Sequence, residues 1–299
     1  MLDLDFAYFN LQTSDRKGLA GRKYFLDRLA PLLYAPRIEK LIEIPQLAAG
    51  CNIHLPLGAG NVAHLDEPIR QNLFAKLEQL LQEMKLTNLS AQRSLRQIWP
   101  ELGEYFALVW GDDFIKALGY TLVQEIMSRQ GADKIILVGD IYTYSDLLEA
   151  LTGFGVPISV QSLKPVDYEV MTYRLLYDRG CAVSNSYVNP SGWEKGNLIL
   201  VFDGEAESMI AAQPGQFLFR LTNDSRGLAP ELEEHLEQNG IGGSLGTIAP
   251  ILESCIKVKA GIASACAELD MSRPTAPFEA LQQAGEQIGV WDIFLDKVY

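Results

Sequence analysis

Polar side chains follow each of the apolar strands predicted in the second half of the chain. In an open parallel sheet, small ligands bind outside the carboxyl ends of the strands, near the point where the strand order reverses. The predicted ligand-binding residues at this edge are Asp140, Thr143, Ser145, Asn185, Asp203 and Asn223, with Gln161, Ser162, Ser184 and Asp224 at the same strand ends. The alternative is that these Asp and Asn side chains only cap helices and form turns.

The first of these strand ends has the position of a phosphate-binding turn, where the chain passes from a strand to a helix. It spans residues 138–145 (VGDIYTYS) and lacks the G-x-G-x-x-G pattern that lets a backbone approach a pyrophosphate. Asp140 would also place a negative charge where a phosphate rests. Thr143 and Ser145 would still offer hydroxyl donors at the helix N-terminus. The sequence therefore argues against an ordinary dinucleotide site at this turn.

NAD or NADP is nevertheless the cofactor that this kind of sheet suggests. The second strand ends without the acidic residue that binds a ribose diol, and Lys164 there would suit a ribose 2′-phosphate, which favours NADP. The alternative for Lys164 is an ordinary surface lysine. A rival hypothesis is a Mg²⁺-dependent phosphate enzyme with Asp140 and Asp203 as oxygen ligands. Because an aspartate after a strand is common, we predict no metal site.

The histidines give a weaker signal. None of His54, His64 and His235 has an identifiable Ser or Cys partner in the sequence, and no G-x-S-x-G motif occurs, so a nucleophilic triad is not predicted. His54 lies in a strand-like segment before Gly58. It either faces a cleft between two domains or has a simple structural role.

Composition excludes several classes of partner. The 38 acidic and 25 basic side chains give a formal net charge of −13, which repels nucleic acid. No apolar run approaches the ~18 residues needed to cross a membrane, and the N-terminus does not have the pattern of a signal peptide. The chain has no C-x-x-C pair, so zinc and a disulfide framework are not predicted; the cysteines are Cys51, Cys181, Cys255 and Cys266. We expect a cytoplasmic protein with reduced thiols.

Strands alternate with helices after Gly131, which predicts a parallel sheet with helices on both faces. The apolar run 135–138 is typical of a strand buried on both faces. Further strands are predicted at 157–161, 181–183, 198–202 and 216–221, with helices at 146–154 and 167–178 between them. The predicted fold class is α/β, with a Rossmann-like parallel sheet in the second half, a smaller N-terminal α/β domain and C-terminal helices.

The first half predicts fewer regular elements. Alternating apolar residues predict a strand at 2–8, and a second strand is predicted at 52–57. Helices are predicted at 24–33, with a break at Pro31, from Asp66 onward with Pro68 in the first turn, and at 114–126. A long amphipathic helix is predicted from Thr247 to Leu269. The predicted domains are residues 1–128, 129–246 and 247–299, the last packing back on the first.

The region around the third and fourth predicted strands resembles shikimate dehydrogenases and methylene-tetrahydrofolate dehydrogenases. The resemblance rests on the small polar loop 184–190 (SNSYVNP), the turn 192–196 (GWEKG) and the strand 198–203 (LILVFD) ending in Asp203. It implies a substrate domain followed by a dinucleotide domain, with nicotinamide near Asn185 and Asp203. The Gly-rich turn and the Lys–Asp acid–base pair of those families are not found in this sequence.

Two classes of function follow from these observations. The first is a Rossmann-like protein that binds a small molecule or nucleotide in a cleft between domains, with a dehydrogenase-like ancestry. The second is a non-catalytic binding or assembly protein on a degenerate Rossmann scaffold. The C-terminal apolar segment with Trp291 and Phe294 would supply a homodimer face. The alternative is that this segment packs within its own chain.

Overall fold

The computed structural model describes residues 4–210, 214–262 and 277–295. The strands are β1 (Phe6–Leu11), β2 (Arg37–Ile44), β3 (Ala48–Leu55), β4 (Leu89–Ala91), β5 (Leu108–Val109), β6 (Lys134–Val138), β7 (Ile158–Ser162), β8 (Val183–Tyr187), β9 (Asn197–Val201) and β10 (Phe217–Arg220). The helices are α1 (Lys23–Leu33), α2 (Ala59–Ala63), α3 (Glu67–Met84), α4 (Leu95–Ile98), α5 (Leu102–Tyr105), α6 (Asp112–Arg129), α7 (Ser145–Leu151), α8 (Glu169–Arg179), α9 (Gly204–Glu207), α10 (Pro230–Gln238), α11 (Leu245–Lys259), α12 (Pro277–Ile288) and α13 (Asp292–Leu295). The predicted α/β fold class is confirmed.

The chain divides into two compact units, each made of two segments. The first unit comprises Met1–Gly111 and Glu231–Pro274, and the second comprises Asp112–Pro230 and Thr275–Tyr299. The sequence placed the domain boundaries after residues 128 and 246. In the structure, the first change of unit precedes α6. The C-terminal helices belong to both units, with α11 in the first and α12 in the second.

The first unit contains a five-stranded mixed sheet of order β2-β3-β1-β4-β5. Strand β2 runs antiparallel to β3, and the other neighbours are parallel. Every residue of β1 is buried, as its central position requires, and α11 packs against β1, β3, β4 and β5. The predicted helix after Asp66 is confirmed as α3, with Pro68 in its first turn, where no hydrogen bond is lost.

Strand β2 was not predicted from the sequence. It is an edge strand and most of its residues are exposed, so it lacks the apolar alternation that marks a half-buried strand. Its charged side chains are those of an edge strand that avoids pairing with another chain. The predicted break at residue 31 was also wrong, because α1 continues to Leu33.

The second unit contains a five-stranded, fully parallel sheet of order β10-β9-β6-β7-β8. This is the Rossmann-like sheet that the sequence predicted. The chain places β7 and β8 on one side of β6 and then returns to place β9 and β10 on the other. The central strands β6 and β9 are buried apart from the half-buried Lys134, and every residue after the first of each strand is apolar. The strand order therefore reverses between β6 and β9.

The predicted strand at 181–183 was misplaced, because β8 begins at Val183 and continues to Tyr187. Asn185 is therefore in the middle of the strand rather than beyond its end. The predicted long helix 247–269 is confirmed as α11 only up to Lys259, because residues 260–262 are described and lie after the end of the helix, and residues 263–269 lie outside the described residues. Within the described part of the chain, no helix has the length and apolar character needed to span a bilayer.

Trp291 and Phe294 do not form an exposed face. Both are buried in the second unit, where their rings contact the ring of Phe114 on α6 with centroid distances of 5.3 and 5.6 Å. The homodimer face expected from these two residues is therefore wrong, since their apolar surface is already covered within the same chain. The alternative of packing within the chain holds.

Candidate functional site

The reversal point of the second sheet brings the ends of β6 and β9 into close contact. Gly139 follows β6 with φ of +113°, and a Cβ atom placed there would lie 2.4 Å from the Cβ of Asp203. The amide of Phe202 donates to the carbonyl of Val138 at 2.9 Å, which continues the pairing of the two strands. Only glycine combines this backbone angle with this approach.

A pocket of about 490 Å³ opens at this edge, beside Gly139. Its lining includes Asp140, Tyr142, Lys164, Tyr168, Asp203 and Glu205. It therefore lies where ligands bind in sheets of this kind. Of the six predicted ligand-binding residues, Asp140 and Asp203 line it.

Asp140 and Asp203 each use one carboxylate oxygen inside the protein. The Tyr168 hydroxyl and the Tyr142 amide donate to Oδ1 of Asp140 at 2.6 and 3.1 Å. The Glu205 amide donates to Oδ1 of Asp203 at 2.9 Å, which caps α9. Burial and the Asp140 carboxylate raise the pKa of Tyr168, so its hydroxyl remains a donor. Among the described residues, none donates to either Oδ2 atom, which leaves both to solvent or a ligand.

The charge of this pocket disfavours a phosphate. Four carboxylates line it (Asp140, Asp167, Asp203 and Glu205), against one ammonium group, that of the exposed Lys164. Among the described residues, no group of three His, Cys, Asp or Glu side chains is arranged to hold a metal ion. The Mg²⁺ hypothesis relies on only two protein ligands, Asp140 and Asp203, together with a substrate phosphate, and it stays a prediction.

The other predicted ligand-binding residues lie elsewhere. Thr143 and Ser145 are exposed on the turn and first residue of α7, outside this pocket. Asn185 is within β8, and its side-chain amide donates to the carbonyl of Pro165. Asn223 is exposed in the loop after the edge strand β10. Of the six predicted ligand-binding residues, Asp140 and Asp203 therefore share one pocket, and the other four lie outside it.

A larger cavity, of about 690 Å³, lies at the carboxyl ends of β1, β3 and β4 in the first unit. Residues after these strands line it, together with the loop between α10 and α11 and the first turn of α11. The polar lining includes Asn10, Gln12, Thr13, His54, Gln92 and Thr247. Segments more than two hundred residues apart in sequence build this cavity, and sequence reasoning did not predict it.

His54 is the titratable group in this cavity with the best-defined geometry. Asn10 and His54 are register partners on β1 and β3, so their side chains lie next to each other. Nδ1 of His54 is 2.9 Å from Oδ1 of Asn10 and 3.9 Å from Oε2 of Glu39. Because both oxygens are acceptors, Nδ1 carries the proton and Nε2 is left with a lone pair.

The environment keeps this imidazole neutral. Burial lowers the pKa of His54 below its usual 6.5, Arg37 and Arg16 lower it further, and Glu39 opposes them. Among the described residues, Nε2 has no hydrogen-bond partner. A mostly buried, neutral histidine with a free ring nitrogen at a cavity is the arrangement of a proton acceptor.

The loop that closes this cavity depends on glycine. Gly240 and Gly242 have φ of +69° and +96°, and the buried Ile241 lies between them. Thr247 is buried in the first turn of α11, and α11 packs against β1, which contains Tyr8. The run 240–243 (GIGG) before a helix is the sequence signal that could have indicated this loop.

We expect His54 to make the protein less stable in mild acid. Because its folded pKa lies below 6.5, the unfolded chain binds more protons in the window between the two values, and stability falls as pH drops through it. Urea unfolding from pH 7.5 to 5.5 should give a smaller loss for His54→Gln than for the wild type. The control is the exposed His64. His64→Gln should lose as much unfolding free energy between pH 7.5 and 5.5 as the wild type does. Equal losses for all three proteins would contradict the burial of His54.

No protein-family model matches this chain, and no curated protein matches it. The solved structures that are similar to it include two at low identity. L-Tryptophan dehydrogenase from Nostoc punctiforme has 12% identity and a TM-score of 0.45, covering 97% of this chain and 80% of that one. A shikimate 5-dehydrogenase-like protein has 11% identity and a TM-score of 0.34, covering 95% and 96%.

Proposed function

We propose that this protein binds a small polar molecule in the cavity of the first unit, with Nε2 of His54 accepting a proton or hydrogen bond from a ligand hydroxyl or amino group. The observation that carries the proposal is the neutral His54, whose Nδ1 is held by Oδ1 of Asn10 and whose Nε2 is free at the cavity. A volume of about 690 Å³ suits a metabolite-sized ligand.

The lining supports a polyhydroxylated or amino-bearing ligand rather than an anionic one. It offers amide, hydroxyl and carboxylate groups, including Glu39 and Glu237, and no lysine or arginine among the described residues that form it. Arg16 is close enough to influence His54, but its guanidinium donates to the Pro56 carbonyl and lies over the Tyr34 ring. A phosphate or carboxylate would therefore meet no cationic partner in the lining.

A thermal-shift screen of the full chain tests this proposal. The panel comprises neutral polyols, amino alcohols, hydroxy acids, NAD and NADP. A ligand at about 100 times its dissociation constant stabilises the native state by about 2.7 kcal/mol, which is readily measured. We expect shifts from the polyols or amino alcohols, and His54→Gln should weaken that binding by roughly tenfold, because an amide replaces the basic ring nitrogen that accepts from the ligand. His64→Gln is the matched control and should bind as the wild type does.

The screen also separates the alternatives. NAD or NADP as cofactor, and a dehydrogenase-like reaction, stay predictions, and the pocket beside Asp203 is the position they would use. A shift with NADP that survives His54→Gln and disappears in Asp203→Asn would assign the ligand to that second pocket instead. No shift with any class would contradict the proposal and favour the non-catalytic assembly hypothesis.

A further inference from the structure

An exposed apolar stripe runs along α8 and the turn before it. Val166, Val170, Tyr173 and Tyr177 are 68%, 81%, 61% and 84% exposed, and Leu176 beside them is 43% exposed. Their spacing of four, three and four residues places the first four on one face of a helix. The opposite face, with Thr172 and Leu175, is buried. The stripe is therefore an ordered second apolar face rather than scattered surface residues.

This stripe belongs to the edge of the second sheet. Helix α8 packs against β8, which is the last strand on that side. Strand β8 pairs with β7 along one side and is mostly exposed, with Tyr187 67% exposed at its end. Native proteins protect such edges with charges, bulges or a covering element. None of the five residues of β8 is charged, so the strand carries no charge that would oppose pairing with another chain.

The size of the stripe fits a second copy of this chain. Its five side chains expose on the order of 600 Å², close to the ~800 Å² that each partner contributes to a standard interface. Monomers seldom expose larger contiguous apolar patches than this. Tyrosines such as Tyr173 and Tyr177 are also the residue type that anchors interfaces.

The charges along the segment favour antiparallel pairing with itself. Asp167 and Glu169 lie at its N-terminal end. Arg174 and Arg179 lie in its C-terminal half, where they form ion pairs with Asp178 and Glu149 of their own chain. Two antiparallel copies place the acidic N-terminal end of one helix beside the half of the other that carries the exposed Arg174, and not beside a second acidic end. The segment 165–179 carries three acidic and two basic side chains, so the chain's net charge of −13 is not concentrated there.

We propose that a second copy of this chain covers the stripe, forming a two-fold symmetric dimer in which the α8 helices pack antiparallel with Val170 of each copy beside Tyr177 of the other. A two-fold axis makes the same patch serve both partners, as a self-complementary stripe requires. This inference is independent of the proposed ligand site in the first unit.

Light scattering on the full chain from about 1 to about 100 μM, together with sedimentation, tests the dimer. We expect a mass near two chains of 33.2 kDa. Val170→Asp and Tyr177→Arg should each raise the dimer dissociation constant at least tenfold. Both substitutions are matched to the helix dipole, so α8 should remain folded, which circular dichroism would check. Leu32→Asp is the control, because Leu32 is 76% exposed on α1 and should leave the dimer intact.

Mixing the two variants tests the geometry. In the proposed pairing the carboxylate introduced by Val170→Asp in one chain would face the guanidinium introduced by Tyr177→Arg in the other, so the one-to-one mixture should dimerise more tightly than either variant alone. A wild type that stays a single chain at the highest concentration overturns the proposal. So does a dimer that both variants leave unchanged, since a different surface would then hold it. Monomeric variants whose mixture does not recover would overturn the antiparallel pairing, and a wild-type monomer that captures a different protein would assign the stripe to that partner.

Discussion

Replacing Gly139 with alanine is expected to destabilise the second unit by about 3 kcal/mol or more, through strain and overpacking together. The backbone at Gly139 has φ of +113°, a conformation that residues other than glycine rarely adopt. The new Cβ would lie 2.4 Å from the Cβ and 2.9 Å from the amide nitrogen of Asp203. Neither atom is the end of a flexible side chain, so β6 and β9 must separate where their ends define the pocket.

Gly155→Ala is the control for this substitution. Gly155 also has a positive φ, of +70°, but a Cβ there meets no atom within 4 Å. Gly155→Ala should lower the unfolding free energy only by the conformational strain, about 1–2 kcal/mol. Urea unfolding of the two variants followed by tryptophan fluorescence gives the difference. Equal losses would mean that the close approach to Asp203 does not exist in solution.

The second sheet could be predicted because each of its central strands carries its own signal. The apolar runs that became β6 and β9 are long enough, and bounded by enough glycine and aspartate, to be read without knowledge of their neighbours. The edge strands were harder. Strand β8 (VSNSY) is polar and half exposed, so its start and end could not be fixed, and Asn185 was placed beyond a strand that contains it.

The residues of the candidate sites likewise include some that the sequence predicts and others that only the folded structure brings together. Asp140 and Asp203 were predicted together because both follow central parallel strands, whose carboxyl ends must meet. His54 was noticed on a strand, but its neighbour Asn10 is 44 residues away, and only the register of β1 and β3 brings the two together. The loop at Gly240 and Gly242 comes from a far more distant part of the chain. Contacts between segments so far apart in the chain cannot be predicted from a local sequence pattern.

Trp291→Ala is the second substitution with a large expected effect. It should strongly destabilise the protein, because the apolar face of the C-terminal segment that carries Trp291 is buried within the chain. Trp291 is buried, its ring contacts Phe114, and its Nε1 donates to the carbonyl of Gln282 at 2.8 Å. A Cβ on Gly285 would lie 2.6 Å from the indole ring, so α12 is fitted closely around this side chain. Removing the ring opens a large cavity where α12 packs on α6, and the expected loss is about 3–5 kcal/mol.

The neighbouring Ile293→Ala separates this packing from a general sensitivity of the segment. Ile293 is 37% exposed on α13, and its truncation should cost about 1 kcal/mol or less. Urea unfolding measures both losses, and light scattering measures the mass of each variant under native conditions. Because Trp291 packs inside its own chain, Trp291→Ala should lower stability while the folded fraction keeps the wild-type mass. A variant of unchanged stability that loses a partner chain would instead place Trp291 in an interface between copies, contrary to its contacts with Phe114 and Gln282.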